Sequence, residues 1–350
     1  MEIPEDKAFR QAIVRIAHPH INFGPKIPNL LTAACGEGAF FTPGIPIIKL
    51  LDIEFPQGYL GNFQGPRFGL EGIRSILQVR DRPLITGVVK PNIGLKPREF
   101  AELAYKAYLG GADITKDDEM LSDVAYSRTK ERVTAVIDMM HKAQDRTGEK
   151  KIFIANITDE IDRMMELHDV VVEAGGNAVM LNSMTIGLAA TRMLSKKTKV
   201  PIFSHFDMIA PFTRIPKFGL TTQVMTKLQR LSGFDAIIMP GLGGRMNTTD
   251  QEVKENVDIC LGPWSGIRTC LPVPGGSDWA GSMLPMYKTF GTKDFSMVPG
   301  RGIFGHPMGP EGGARSIRQA WEAIEKDVPM EEYAKTHAEL RQAIEAFDKR

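Results

Sequence analysis

The sequence predicts an α/β protein whose main unit is a closed (β/α)8 barrel, the TIM-barrel fold. Three observations predict it: short apolar, β-branched runs recur after residue 82, helical patterns separate them, and eight such runs occur in a chain of 350 residues. Strands that alternate with helices form right-handed β-α-β units and a parallel sheet. An open, doubly wound sheet is the alternative. The predicted strands are residues 84–90, 112–116, 151–157, 177–182, 200–206, 235–240, 270–276 and 295–300.

The segments between these runs have the pattern of amphipathic helices. In PREFAELAYKAYLGG, Phe100, Leu103, Ala104 and Ala107 are spaced three and four apart, and a Gly-Gly pair predicts the helix end. TTQVMTKLQRLSG and GGARSIRQAWEAIEK repeat this design. The helices should therefore cover the outside of the barrel.

The first 82 residues differ from the rest. The alternating run AIVRIAH (Ala12–His18) and the run IIKLLDIEFP (Ile47–Pro56) predict two strands, and Gly65–Val79 predicts a loop that leads into a short helix. Two or three strands are too few for an independent sheet, so this region should pack against the barrel.

Composition indicates an ordinary soluble globular protein. The net charge of +1 gives no electrostatic reason to expect a nucleic acid or a membrane surface as a partner. The three cysteines have an odd count and no C-x-x-C spacing, which is typical of a reducing compartment. The N-terminus lacks an apolar stretch, and we expect a cytoplasmic protein.

The most informative stretch is GGADITKDDEML, because four charged residues follow an apolar strand there. Alternation along a strand sends Lys116 and Asp118 to one side, and Glu119 can join them if the chain turns. Two carboxylates that converge suit Mg²⁺, which prefers oxygen ligands. A lysine fits such a site as a salt-bridge partner, or as a carbamate formed with CO₂, which is a third oxygen anion. A solvated turn is the alternative interpretation.

Polar residues end several other predicted strands, and in a (β/α)8 barrel these carboxyl ends carry the chemistry. Lys90, Lys116, Asn156, Asn182 and His205 all fall on this one rim. Each of them alone would most simply be structural. Together they predict a site at the mouth of the barrel.

Glycine-rich loops follow the seventh and eighth predicted strands, where barrels commonly bind phosphate through main-chain N–H groups. A further glycine-rich loop (239–247) contains Arg245 and has the composition of a loop that closes over a ligand. The candidate phosphate-binding residues are Gly275, Gly276, Ser277, Gly300 and Arg301.

The motifs GVVKPNIGL, GGADITKDDE, HPHINFG, GPRFGLEGIR and GIFGHPMGPEGGARSIRQAWEA resemble the large-subunit superfamily of ribulose bisphosphate carboxylase (RuBisCO). The runs IPNLLTAACGEG, FTPGIP, MTKLQRLSGFDAIIMPG, CLPVPGGSD and VPGRGIFGHPMGP are most similar to its RuBisCO-like, non-carboxylating form IV branch, in the group of phototrophic bacteria. The resemblance covers nearly the whole chain.

This resemblance implies a function for the charged residues. Lys116 would be the lysine that becomes carbamylated, and Asp118 and Glu119 would be the other Mg²⁺ ligands. Lys90 would match the lysine that handles protons on the substrate, and His205 would match an active-site histidine. Mg²⁺ would hold the oxygens of a keto substrate while a base removes a carbon-bound proton.

Several residues depart from the carboxylase pattern. Phe206 stands where the carboxylases have an arginine, and Ile209 and Ile238 stand where they have histidines. Arg245 replaces the mobile-loop lysine, and an arginine cannot act as the same point donor. The steps after enolisation lack these residues, so the resemblance implies no CO₂ fixation.

Three further departures concern the substrate and the neighbouring subunit. Gly275 replaces a serine and Arg301 replaces a glycine of the phosphate region, so the substrate should differ from a bisphosphate at one end. Glu37 occupies the place of an asparagine that carboxylases take from the partner subunit, and of a base lysine in related enolases.

The resemblance therefore implies a Mg²⁺-dependent enolase or isomerase that acts on a small phosphorylated keto compound, in the context of sulfur metabolism or the response to oxidants. It implies a homodimer with a shared site, in which Glu37 acts across the interface. Residues 1–82 would be a shortened remnant of the family's N-terminal α+β domain, and residues 83–350 the barrel domain. A β-keto acid phosphate decarboxylase and a non-catalytic regulatory dimer are the alternatives.

Overall fold

The fold is described by a computed structural model for residues 12–36, 40–45, 47–244 and 247–348. The strands of these residues are numbered in chain order. They are β1 (Lys49–Leu50), β2 (Leu84–Val88), β3 (Ile114–Lys116), β4 (Ile152–Asn156), β5 (Ala178–Asn182), β6 (Ile202–His205), β7 (Gly219–Leu220), β8 (Ala236–Pro240), β9 (Leu271–Gly275) and β10 (Ser296–Met297).

Eight of these strands form one parallel sheet in the order β10-β2-β3-β4-β5-β6-β8-β9. A parallel bridge between Gly275 and Val298 brings the two ends of the sheet together, so the barrel is nearly closed. Each of the eight strands lies within one of the predicted runs, which confirms the barrel and excludes the open sheet. The short strands β1 and β7 pair with each other outside the barrel.

Helices follow the barrel strands and cover their outer face. The predicted helix end at Gly110 is confirmed, and Phe100, Ala104 and Ala107 are buried against the sheet. The helices are Ile27–Cys35, Gln57–Leu60, Gly69–Leu77, Pro97–Leu109, Thr129–Thr147, Ile161–Glu173, Ser183–Ile186, Leu188–Ser195, Ala210–Thr213, Thr222–Ser232, Asp250–Leu261, Met283–Phe290, Gly300–Phe304, Gly309–Glu325, Met330–Tyr333 and Ala338–Phe347, and two 3₁₀ turns are His20–Asn22 and Ala280–Ser282.

The inside of the barrel is a packed apolar core rather than a channel. Alternate strand residues point inward, among them Ile154, Phe203 and Val273, and they form one buried cluster. The helix Gly69–Leu77 adds Leu70 and Ile73 to the same cluster. This helix therefore closes the amino-terminal end of the barrel, and the opposite end is left for ligands.

The strand predicted at Ala12–His18 is wrong. These residues are exposed and have no regular structure, because no strand of the described residues lies beside them to pair with. In the second predicted run, Ile47–Pro56, the strand shortens to the two residues of β1. The domain boundary at residue 82 stays a prediction. None of the helices in the described part of the chain combines the length and the apolar character needed to cross a membrane.

Candidate active site

A cavity of about 480 Å³ lies at the carboxyl ends of the barrel strands. Lys90, Lys116 and His205, which the sequence places at the ends of three strands, all line it together with Glu119. The glycine-rich segments after β9 and β10 form another part of its wall, through Gly275, Gly276, Ser277, Gly300 and Arg301.

The charged stretch after β3 is buried, so its interpretation as a solvated turn is wrong. Lys116 is 1% exposed, and its Nζ donates a hydrogen bond to Glu119 Oε2 at 3.2 Å. Asp118 is also buried, and its Oδ2 accepts from Lys90 Nζ at 3.1 Å. The two predicted lysines are therefore each paired with one of the two predicted carboxylate ligands.

Asp117 points the other way, as the alternation of a strand requires. Its two carboxylate oxygens accept from Nε and Nη2 of Arg132 at 2.9 and 3.0 Å, and both side chains are fully buried. Arg132 also donates to the main-chain oxygens of Ser127 and Ser122. This pair fixes the base of the loop that carries Asp118.

Asn156 holds the same loop from the neighbouring strand. Its Nδ2 donates to the main-chain oxygens of Asp118 and Glu119, at 3.3 and 2.9 Å. Its Oδ1 accepts from the hydroxyl of Thr158 at 2.7 Å. Because this amide is buried and hydrogen-bonded to protein groups, the geometry gives Asn156 a positioning role, and the predicted substrate contact stays a prediction.

Asn182 is different, since its buried Oδ1 makes no hydrogen bond. It does not belong to the cavity wall formed by the residues named above. Its predicted substrate contact also stays a prediction. Two other predicted site residues, Glu37 and Arg245, lie outside the described residues.

His205 stands between two carboxylates. Its Nε2 lies 3.3 Å from Glu119 Oε2, and its Nδ1 lies 3.3 Å from Asp207 Oδ2. The Phe206 ring stacks on the imidazole, with ring centroids 4.7 Å apart. Burial alone would raise the pKa of Glu119, but the Lys116 ammonium and His205 outweigh it and lower this pKa to about 2. Glu119 is therefore an anion at neutral pH.

The glycine-rich part of the cavity wall is shaped by close packing and by sharp turns of the main chain. Gly275 packs against Val298, and a Cβ on this glycine would lie only 2.4 Å from the Val298 Cβ, so its identity is explained by the close approach of β9 and β10. Gly276 and Ser277 have positive φ angles of 142° and 60°, which turn the chain sharply at the cavity. The guanidinium of Arg301 lies over the Phe347 ring at 5.2 Å.

Two residues important to the geometry were missed by the sequence interpretation. Arg132 lies in the helix after β3, and no local signal distinguishes it from a surface arginine. Asp207 could have been found, because it follows His205 by two residues and alternation places such residues on the same side.

Two sets of candidate metal ligands lie at the cavity or directly beside it. One is the predicted oxygen set of Asp118, Glu119 and a carbamate on Lys116. The other combines one nitrogen of His205 with oxygens of Glu119 and Asp207, and these three donor atoms lie within 4.8 Å of one another.

A nearly closed barrel with charged residues gathered at the carboxyl ends of its strands defines the class of (β/α)8 proteins that keep their functional site at this mouth. Within this class, the chain belongs to the ribulose bisphosphate carboxylase large-chain family, since residues 69–347 match the family described as "Ribulose bisphosphate carboxylase large chain, catalytic domain". The resemblance drawn from the sequence motifs is confirmed.

Relatives with curated names refine this placement. The chain is 58% identical to a "Ribulose bisphosphate carboxylase-like protein" of Chlorobaculum tepidum, over 95% of this chain and 76% of the relative. It is also 58% identical to the protein of the same name from Allochromatium vinosum, over 96% of this chain and 74% of the relative. A more distant relative, from Rhizobium rhizogenes, is named 3-oxo-isoapionate-4-phosphate decarboxylase and is 36% identical over 97% of this chain and 81% of its own length.

Solved structures agree with this placement. The octameric ribulose-1,5-bisphosphate carboxylase/oxygenase of Pyrococcus horikoshii superposes with a TM-score of 0.90 at 33% identity, over 95% of this chain and 78% of that one. A dimeric archaeal Rubisco from Hyperthermus butylicus gives a TM-score of 0.86 at 33% identity, over 93% and 79%.

Proposed function

We propose that the chain is a Mg²⁺-dependent enolase- or isomerase-type enzyme that removes a proton next to the carbonyl of a small phosphorylated keto compound, and that it does not fix CO₂. The observation that carries this proposal is the pairing of Lys116 with Glu119 and of Lys90 with Asp118 on the cavity wall and just below it. The two amines and the two acids that the proposed reaction needs therefore lie next to one another.

The donor chemistry fits Mg²⁺ on one condition. Asp118 and Glu119 offer oxygen atoms, which Mg²⁺ prefers. An ammonium 3.2 Å from Glu119 would repel a divalent cation, whereas a carbamate on Lys116 would supply a third anionic oxygen. The position of Lys116 next to Glu119 supports this modification on one ground: a divalent cation held by Glu119 and Asp118 would stabilise the negative charge of the carbamate. Bound Mg²⁺ would polarise the keto oxygen of the substrate and stabilise the negative charge that develops there.

The residues around the metal ligands have distinct proposed roles. Lys90 reaches the cavity with a side chain that is 35% exposed, and it is the proposed proton carrier. His205 Nε2 lies 3.3 Å from the same Glu119 oxygen that accepts from Lys116, and His205 would orient the substrate or carry a second proton. Gly276, Ser277 and Arg301 would bind the phosphate.

The apolar part of the wall supports a substrate that is not a bisphosphate. Phe206, Ile238 and Phe304 line the cavity, and none of them offers a donor to a second phosphate. A sugar derivative with one phosphate and a less polar far end fits this wall. A place in sulfur metabolism or the response to oxidants is the context that we propose from the resemblance.

Decarboxylation of a β-keto acid phosphate is the second candidate. The Rhizobium rhizogenes relative, which is named as a decarboxylase of a phosphorylated keto acid, favours it. The reaction would use the same enolate stabilisation and would differ in the group that leaves.

We also propose a homodimer with a shared site. Apolar side chains are exposed on the loops that follow β2, β3 and β4, namely Ile93, Met120 and Tyr126, with Ile161 at the next helix start. Exposed apolar side chains at this end of the barrel support an interaction surface there. The solved structures named above are themselves described as dimeric or octameric.

The test combines two measurements on one protein. After incubation with Mg²⁺ and ¹³C-bicarbonate, the ¹³C NMR spectrum should show a lysine carbamate, and solvent deuterium should enter a keto-sugar monophosphate or thio-sugar phosphate. Lys116→Arg keeps the positive charge but cannot form the carbamate, so it should lose both signals.

The outcomes separate the candidates. Release of CO₂ from a β-keto acid phosphate without deuterium exchange in keto sugars would favour the decarboxylase. A wild-type protein with no carbamate signal and no exchange with any of these substrates would overturn the proposal and favour the non-catalytic dimer.

A further inference from the structure

Two residues of the cavity wall, Glu119 and His205, form a second group of potential ligands with the neighbouring Asp207, and the proposed reaction does not use this group as a metal site. His205 ends β6 and Asp207 follows it by two residues, while Glu119 comes from the loop after β3. One imidazole nitrogen and one oxygen from each carboxylate lie within 4.8 Å of one another. Two loops that are distant in the sequence therefore bring three donors to one point.

One of the two ring nitrogens of this imidazole makes no hydrogen bond. His205 is 5% exposed, and its buried Nδ1 makes no hydrogen bond. Asp207 Oδ2 is close, at 3.3 Å, but it is not aligned for a hydrogen bond. Buried ring nitrogens are normally hydrogen-bonded or bound to a metal, so this one indicates a missing ligand.

The donor types select the kind of ion. A nitrogen with two carboxylate oxygens suits borderline divalent metals such as Zn²⁺, Fe²⁺ or Co²⁺, and Mn²⁺ accepts the same ligands, whereas Mg²⁺ prefers oxygen alone. Metal–ligand distances of about 2.0–2.2 Å place neighbouring ligands of a tetrahedral site roughly 3.3 Å apart. The distance from Asp207 Oδ2 to His205 Nδ1 is 3.3 Å, so this edge is already formed.

We propose that Glu119, His205 and Asp207 form a site for a borderline divalent metal ion that needs no carbamate. Three protein ligands leave a coordination position open toward the cavity, which is the arrangement of a site that takes water or a substrate oxygen. This site is independent of the proposed Mg²⁺ site in its chemistry, although the two share Glu119.

Lys116 acts against this second site. Its ammonium donates to Glu119 Oε2, the same oxygen that faces His205. While Lys116 is a cation, it competes with the metal for that oxygen and repels it. Removal of the amine therefore strengthens the second site, although it abolishes a carbamate-dependent site.

The experiment uses Co²⁺ as the probe in buffer free of CO₂ and bicarbonate, with visible absorption to follow binding to the whole chain. Wild-type protein should bind Co²⁺, and His205→Ala and Asp207→Asn should each weaken binding at least about tenfold. Lys116→Met should bind Co²⁺ more tightly than wild type, and Lys116→Arg, which keeps the charge, should not.

Pulsed EPR with Mn²⁺ gives a second readout, because coordination by His205 produces a nitrogen coupling. Absence of that coupling, unchanged affinity in Asp207→Asn, or a requirement for bicarbonate with loss of binding in Lys116→Met would each overturn the proposal. Asp207 is partly exposed, so Asp207→Asn remains informative if His205→Ala does not fold. Failure of deuterium exchange with Mg²⁺ and bicarbonate would refute the proposed reaction but leave these metal-binding results unaffected.

Discussion

Both ends of the barrel bury charged residues, but the hydrogen bonding of these residues is more complete at the amino-terminal end. At the amino-terminal end, the Asp113 carboxylate accepts two hydrogen bonds of 2.7 Å from Arg82 and one from the main-chain N of Ile85. Asp235 accepts from the main-chain N–H groups of Phe68 and Ile202, among others. These charges are fully engaged by fixed protein groups.

At the carboxyl-terminal end the charges are less completely engaged. Lys116 and Lys90 each donate to a single carboxylate, Glu119 and Asp118 respectively. The buried His205 Nδ1 and Asn182 Oδ1 make no hydrogen bonds. The cavity opens beside the two lysines and His205. A buried charge by itself therefore does not indicate a site. The indication comes from buried polar groups whose hydrogen-bonding capacity is not used and which face a cavity.

The largest expected effect separates structural charge from functional charge. Asp113→Ala leaves Arg82 buried without its partner, and we expect a loss of about 3–5 kcal/mol in the free energy of unfolding. Lys116→Met removes a poorly solvated ammonium, and we expect a change below about 1 kcal/mol, because active-site charges are held at a cost to stability. Urea unfolding of both variants measures this. Equal losses would contradict the distinction between the two ends.

A second prediction uses pH, because the two ends contain carboxyl groups shifted in opposite directions. Burial raises the pKa of Asp235 to about 6, above its unfolded value, so its contribution to stability is present below about pH 4 and is lost as the pH rises through 6. The pKa of Glu119 is lowered to about 2, so its contribution is present above about pH 4.5 and is lost as the pH falls through 2.

The measurement compares unfolding free energies across pH. The advantage of wild type over Asp235→Asn should fall by about 3 kcal/mol between pH 4 and 7. Its advantage over Glu119→Gln should fall below pH 4.5 by a smaller amount, because Glu119 is partly exposed and screened. Two differences that change in the same direction with pH would show that one of the shifts is wrong.

The smallest expected effect lies within the carboxyl-terminal end itself. Asn156→Ala removes hydrogen bonds to the Asp118 and Glu119 main chain, and we expect a loss of about 2–3 kcal/mol. Asn182→Ala removes a buried oxygen that has no hydrogen bond, and we expect a loss below about 1 kcal/mol. Thermal unfolding of the two variants measures the difference. A larger loss of unfolding free energy in Asn182→Ala than in Asn156→Ala would contradict the positioning role of Asn156.

Much of the architecture could be predicted from the sequence, because barrel strands are buried on both faces and appear as short apolar runs. The run ADITK contains β3 and the run DAIIMP contains β8, and both include the buried acid that immediately precedes the strand, Asp113 or Asp235. The prediction failed at Ala12–His18, where the alternation was correct for a strand but the described part of the chain has no strand beside it. An alternating pattern indicates a preference for strand conformation, but a strand forms only where a neighbouring strand can pair with it.

The sequence by itself determined the barrel, the order of its strands and the position of Lys90, Lys116 and His205 at their ends, because strand periodicity and chain order are local properties. Only the tertiary structure decided which charges meet. It paired Asp117 with Arg132 behind the loop, and it brought Glu119 to the imidazole of His205. Such contacts join side chains from separate elements, and their direction depends on how each loop turns after its strand ends.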